Sequence, residues 1–151
     1  MESWNSVDAY GPQADLDRLK ALLIVTGDNG ERTIDFTRVL PKPEDPRVDN
    51  FRDWEQQQDG IYSFAFDTRW CFPFDVFHTL AEMFPAIAFD CDAIHEMDEW
   101  CGYGWFNTPE GGEDFDDRYD VPEGYWDHSV KRDPVAQLRY CALVERLKSS
   151  T

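Results

Sequence analysis

Apolar residues recur with a helical period in two clear places. Leu16, Leu19 and Leu23, with Leu22 beside them, follow the Gly11-Pro12 turn and predict a helix from Pro12, with Asp15 and Asp17 at the positive end of its dipole. Gly27-Asp28-Asn29-Gly30 stops it. Phe77, Leu80, Ala81 and Phe84 form an i, i+3, i+4, i+7 stripe between Pro73 and Pro85, which bound a second helix. Strand patterns are shorter. In Ile61–Asp67, Tyr62, Phe64 and Phe66 share one face while Ile61, Ser63 and Ala65 share the other. Ile87–Ala93 and Cys101–Phe106 read as two more strands, antiparallel across a polar turn. Trp4–Tyr10 alternates weakly, and Thr33–Leu40 places Ile34 and Phe36 on one side. Pro41, Pro43 and Pro46 predict an extended loop running to Gln58.

Residues 107–132 have no period. Asp133-Pro134 is a helix start, and Tyr140, Leu143, Val144 and Leu147 give the helix over 133–148 an apolar face for its own sheet or for a partner. The order strand, helix, strand, strand, helix, strand is a split βαβ plan. The expectation is a single α+β domain over 1–151. It has a ferredoxin-like antiparallel core at 4–106 with helices on one face, an acidic, aromatic-rich loop at 107–132 and a C-terminal helix. A chain of 151 residues can bury such a core without staples.

Charge changes the picture most. The 31 Asp and Glu against 14 Lys and Arg give −17, the wrong sign for binding nucleic acid directly or for an anionic membrane surface. Cations and basic protein surfaces remain as partners, beside the plainer reading that the charge serves solubility. No apolar run is long enough to span a bilayer, and the first eleven residues lack a signal-peptide pattern. Cys71, Cys91, Cys101 and Cys141 form no C-x-x-C pair, which favours reduced thiols and a cytoplasmic setting in a host cell.

Certain segments resemble a known family. WNSVDAYGP with DLDRLKALL, the FTRVLPKPED stretch, the block YSFAFDTRWCFPFDVFHTLAEMFPAIAFD and CGYGWF are similar to successive parts of the YubB-like ferredoxin-fold proteins of phages and plasmids. The similarity runs with gaps from Trp4 to Phe106 and is most specific from Tyr62 to Phe89. Phe72-Pro73 stands where a Pro-Pro pair is common, and the chain after Asn107 is not covered. The resemblance implies a ferredoxin-like sandwich and a mobile-element origin. It implies no chemistry, and fold alone supplies none.

Motifs for catalysis are missing: no phosphate loop, nucleophile elbow or H-E-x-x-H occurs. No cofactor is expected. Asp67 beside Arg69 is a catalytic pair or, more simply, an ordered turn with Trp70 stacked on it. His95, Glu96, Asp98 and Glu99 carry metal-ligating atoms without a second His at partner spacing. Cys101 lacks the nearby positive charge that makes a thiol reactive.

From Asp90 to Asp127 there are thirteen acids against a single cation, Arg118, so this stretch holds twelve of the seventeen net negative charges. Trp100, Tyr103, Trp105, Phe106, Phe115, Tyr119, Tyr125 and Trp126 interleave with them. Carboxylates among rigid aromatics can imitate a phosphate track and supply anchors; alternatively the aromatics pin the loop to the sheet. The expected partner-binding residues are Asp98, Glu99, Glu110, Glu113, Asp114, Asp116, Asp117, Asp120, Glu123, Tyr125, Trp126 and Asp127. The expected partner is a basic, nucleic-acid-binding surface of a host defence complex, such as a CRISPR effector or restriction enzyme, inhibited by DNA mimicry. The alternative is an accessory mobile-element protein that binds another basic protein without mimicry. Neither reading is enzymatic.

Overall fold

A computed structural model describes residues 2–55, 60–95, 97, 99–108, 110–123, 125 and 145. The chain is α+β. Strands β1 (Ser3–Tyr10), β4 (Asp49–Glu55), β5 (Ile61–Thr68), β6 (Ala88–His95), β7 (Cys101–Phe106) and β8 (Asp116–Tyr119) form one sheet. Its order is β4-β5-β1-β6-β7-β8, and its pairings are antiparallel. Helix α1 (Gln13–Leu23) follows β1 and α2 (Phe74–Met83) follows β5. Strands β2 (Ile24–Thr26) and β3 (Arg32–Ile34) make a separate two-stranded sheet.

Alternation sets the two faces of the large sheet. Val7 and Ala9, Tyr62, Phe64 and Phe66, and Phe89, Cys91 and Ala93 point to one side, where Leu16, Leu19 and Leu23 of α1 and Val76, Phe77 and Leu80 of α2 meet them. Phe77 is the hub: Phe66 lies parallel to it with ring centroids 6.3 Å apart, and Phe89 stands edge-on at 5.8 Å. The opposite face carries a smaller cluster of Tyr10, Ile61, Ala88 and Trp105. Both predicted helices therefore cover the same side.

The expected pairing of the strands near Ile87–Ala93 and Cys101–Phe106 is present as antiparallel β6 and β7, and β1 lies between β5 and β6, because the α2 crossover returns the chain parallel to β5 and an antiparallel strand fits between. Three expectations need correction. Thr33–Leu40 is not one strand. It ends at Ile34, and Asp35 accepts from Thr37 N at 3.0 Å, capping a 3-10 turn over Phe36–Arg38. The loop expected to reach Gln58 contains β4, an edge strand whose Arg52 and Trp54 face solvent. The acidic segment 107–132 is not all loop, since β8 joins the sheet. The C-terminal helix expected at 133–148, with Asp133, Tyr140, Leu143, Val144 and Leu147, lies outside the described residues.

Candidate functional site

The β7–β8 edge collects most of the acidic stretch, and its shape follows from two glycines and one asparagine. A Cβ on Gly104 would stand 2.5 Å from Phe115 Cα, and one on Gly102 would stand 2.8 Å from Asp117 Cα. Only bare backbone lets the segment from Asp114 to Asp117 lie this close over β7, and Gly104 also has φ +139°. Asn107, at φ +58°, donates its amide to the carbonyls of Ala81, Phe84 and Ile87 at 2.8, 3.1 and 3.0 Å. That satisfies carbonyls at the end of α2 and fixes where the acidic segment begins.

Aromatic residues hold the segment from beneath. Phe115 is buried in the main core, 4.5 Å from Phe72 and 5.5 Å from Phe106 by ring centroids. Tyr119 stacks on Tyr103 at 4.0 Å. Tyr125 is buried with Ile94, Cys101 and Tyr103. Tyr125 was expected as a partner contact, but its burial makes it a pin for the chain. Trp126 lies outside the described residues, as do Asp98 and Asp127.

The acids divide into structural and exposed sets. Asp114 is half-buried and accepts from Trp105 N at 2.6 Å, so it belongs to the framework of the edge. Glu113 meets His78 Nδ1 at 3.0 Å, while Glu82 meets Nε2 at 3.1 Å. The hydrogen bond that Glu113 accepts, then its charge, raises the imidazole pKa above its usual value, with Glu82 adding to the effect. Glu99, Glu110, Asp116, Asp120 and Glu123 are exposed, and Asp117 is half-buried. Asp90 and Asp92 sit on β6, Asp90 buried and Asp92 half-buried.

Between this edge and the turn before α2 runs an open groove of about 400 Å³, lined by Trp70, Cys71, Glu99, Trp100, Asp117, Arg118, Tyr119 and Asp120. Trp70 is 54% exposed, and the Arg69 guanidinium lies 5.2 Å from its ring centroid. This is the stacked turn expected of Asp67–Trp70, although Asp67 itself bonds to Asn50. Burial and then nearby acids, Asp117 first, push the Cys71 thiol pKa up, which disfavours a thiolate there. Cys91 and Cys101 are buried, and neither forms a disulfide among the described residues. His95 is buried against Trp100, its Nδ1 accepting from Met97 N at 3.3 Å. Among the described residues, no group of three His, Cys, Asp or Glu side chains is placed to hold a metal, and no helix is long and apolar enough to cross a membrane.

Sequence reasoning located the acid density but missed the groove and the His78–Glu113 contact. The groove joins residues from three separate stretches, which no local pattern announces. The alternation C-G-Y-G was the available sign that another backbone passes close to β7. No protein-family model, curated protein or solved structure matches this chain.

Proposed function

We propose that the protein is an acidic binding protein that docks its β7–β8 edge on a basic, nucleic-acid-binding surface of a host protein complex and blocks it by imitating DNA. The observation that carries this reading is the exposed carboxylates on an edge whose aromatics are turned inward and anchored. A charged surface held in one conformation loses little conformational entropy on binding. The groove beside it suits a lysine or arginine side chain, which Glu99, Asp117 and Asp120 attract and Trp70, Trp100 and Tyr119 contact. Such binding needs no cofactor and no catalytic group.

The order β4-β5-β1-β6, with α1 and α2 as crossovers on one face, supports reading the core as ferredoxin-like. The β2–β3 hairpin is then an insertion and β7–β8 an extension. In this reading the protein is a phage or plasmid product similar to the YubB-like family and acts in the host cytoplasm. A second reading is favoured by Arg118, which interrupts the acidic run on β8: the edge grips a basic protein without following a phosphate track.

The test is capture of nucleic-acid-binding complexes from host lysate at low and physiological salt, followed by challenge with duplex DNA. Mimicry predicts that DNA displaces the captured complex and that salt weakens capture steeply. Capture that survives excess DNA supports the second reading. No salt-sensitive capture removes both.

A further inference from the structure

A second pocket opens on the sheet face opposite the helices, across β4, β5 and β1 and away from β8. It has a volume of about 490 Å³ and is lined by Trp4, Asn50, Phe51, Arg52 and Asp67. Asp67 is only 5% exposed. Its side chain accepts one hydrogen bond among the described residues, from Asn50 Nδ2 at 2.6 Å. A carboxylate this buried ordinarily gathers several donors or a counter-charge.

The backbone is shaped around it. The β4–β5 register shifts between Asp49 and Arg52, and Asn50 within that bulge has φ +54°. Left-handed backbone at a non-glycine residue is uncommon, and bulges re-aim side chains near sites. Here the conformation accompanies the Asn50 amide turned to Asp67. Trp4, the cross-strand neighbour of Asp67, is 37% exposed. Arg52 Nη1 donates to the Asn50 carbonyl at 2.7 Å, so that guanidinium is turned to the bulge.

We infer that this pocket binds the guanidinium of an arginine side chain presented by a protein partner. The planar fork brings parallel N–H donors and a positive charge to Asp67. Its face stacks on the Trp4 indole. The net charge of −17 draws cations to the molecule. Arg52 opposes a second cation at close range, so the fork and the stacking must carry recognition, and charge alone is insufficient. The pocket shares no residue with the acidic edge, and the inference stands without the mimicry proposal.

The test is an NMR titration of the full chain, at physiological salt, with the capped tripeptide Gly-Arg-Gly. The Trp4 indole and Asn50 amide signals should shift saturably. Gly-Lys-Gly should bind about tenfold more weakly or less, because it lacks the fork. Asp67→Asn should abolish the shifts. Trp4→Ala should weaken binding several-fold, and Trp4→Phe should restore part of it. An Asp116→Lys/Asp120→Lys/Glu123→Lys variant should bind the tripeptide as wild type does. The inference is overturned by equal affinity for the lysine peptide, by unchanged affinity in Trp4→Ala, by guanosine saturating the same signals in place of arginine, or by no saturable shift.

Discussion

At one edge of the six-stranded sheet, β4 holds its acids against arginines; at the other, β8 holds its acids over a layer of aromatics. On β4, Arg32 meets Asp53 through two bonds of 2.9 and 2.8 Å, and Tyr62 donates to the same carboxylate at 2.7 Å. Arg47 meets Asp49 at 3.1 Å. Burial alone would raise the Asp53 pKa, but the hydrogen bonds from Arg32 and Tyr62 outweigh it and the net direction is down. On the β8 side, Arg118 is the only Lys or Arg between residues 90 and 127, and order comes from Phe115, Tyr119, Tyr125 and the glycines of β7. Edge strands need protection from pairing with other chains, and charge on either edge provides it. The difference is where the charge goes. Asp49 and Asp53 on β4 are spent within the fold, whereas the exposed acids Asp116, Asp120 and Glu123 around β8 stand on an edge held by apolar contacts.

The comparison breaks if the β8 edge depends on its charges for stability. Removing its main apolar pin should have the largest effect. Phe115→Ala is expected to cost about 3–5 kcal/mol in a denaturant titration, as for other buried Phe truncations. Gly104→Ala should loosen the same edge by about 1–3 kcal/mol through overpacking against Phe115. A loss below about 1 kcal/mol in both would mean that the edge is held by something else.

On the β4 edge, Asp53→Asn should cost about 1–3 kcal/mol, because Arg32 and Tyr62 lose a charged acceptor. Its pH dependence has a definite sign. Since the folded-state pKa of Asp53 lies below its usual value, the contribution is present above the ordinary carboxylate range and is lost as pH falls through the folded value. Wild type and Asp53→Asn should therefore converge in stability at low pH. A constant difference down to acid would contradict the paired edge.

The smallest effect concerns His78. Its pKa is raised in the fold, so the stabilisation is fully present below about 6.5 and is lost as pH rises through the folded value. The pair with Glu113 is solvent-exposed, which limits the effect to under about 1 kcal/mol. His78→Gln should remove that pH dependence and leave the stability at high pH unchanged. A dependence of the opposite slope, or none in the wild type, would exclude the pairing.

The parts of this fold that could be read in the sequence are those buried on a clear period. The stripe of Phe77, Leu80 and Ala81 and the strand read at Ile61–Asp67 were visible because a large apolar core rewards every turn of the pattern. Strand β4 was not, because an edge strand with solvent-facing Arg52 and Trp54 and a bulge at Asn50 shows no alternation of apolar residues. Strand β8, with the sequence DDRY, has no apolar period at all and is specified by what passes beneath it. The site was half legible. Acid density is a property of composition and appeared at once. Which way the aromatics point depends on tertiary packing, so Tyr125, expected among the contacts, is a buried support.

The central claim is that the exposed acids of the β7–β8 edge serve binding and do little for folding. The most direct measurement is the association rate of the captured basic complex with wild type and with Asp116→Lys/Asp120→Lys/Glu123→Lys, at two salt concentrations, beside the unfolding midpoint of each protein. Asp114 is left intact because it accepts from Trp105 N in a half-buried position, whereas the bond Asp116 accepts from Arg118 N is exposed to solvent. The account predicts that the reversal slows association at least about tenfold at low salt, as loss of electrostatic steering does, and changes stability by less than about 1 kcal/mol. A folded variant that associates as fast as the wild type at both salt concentrations would contradict it.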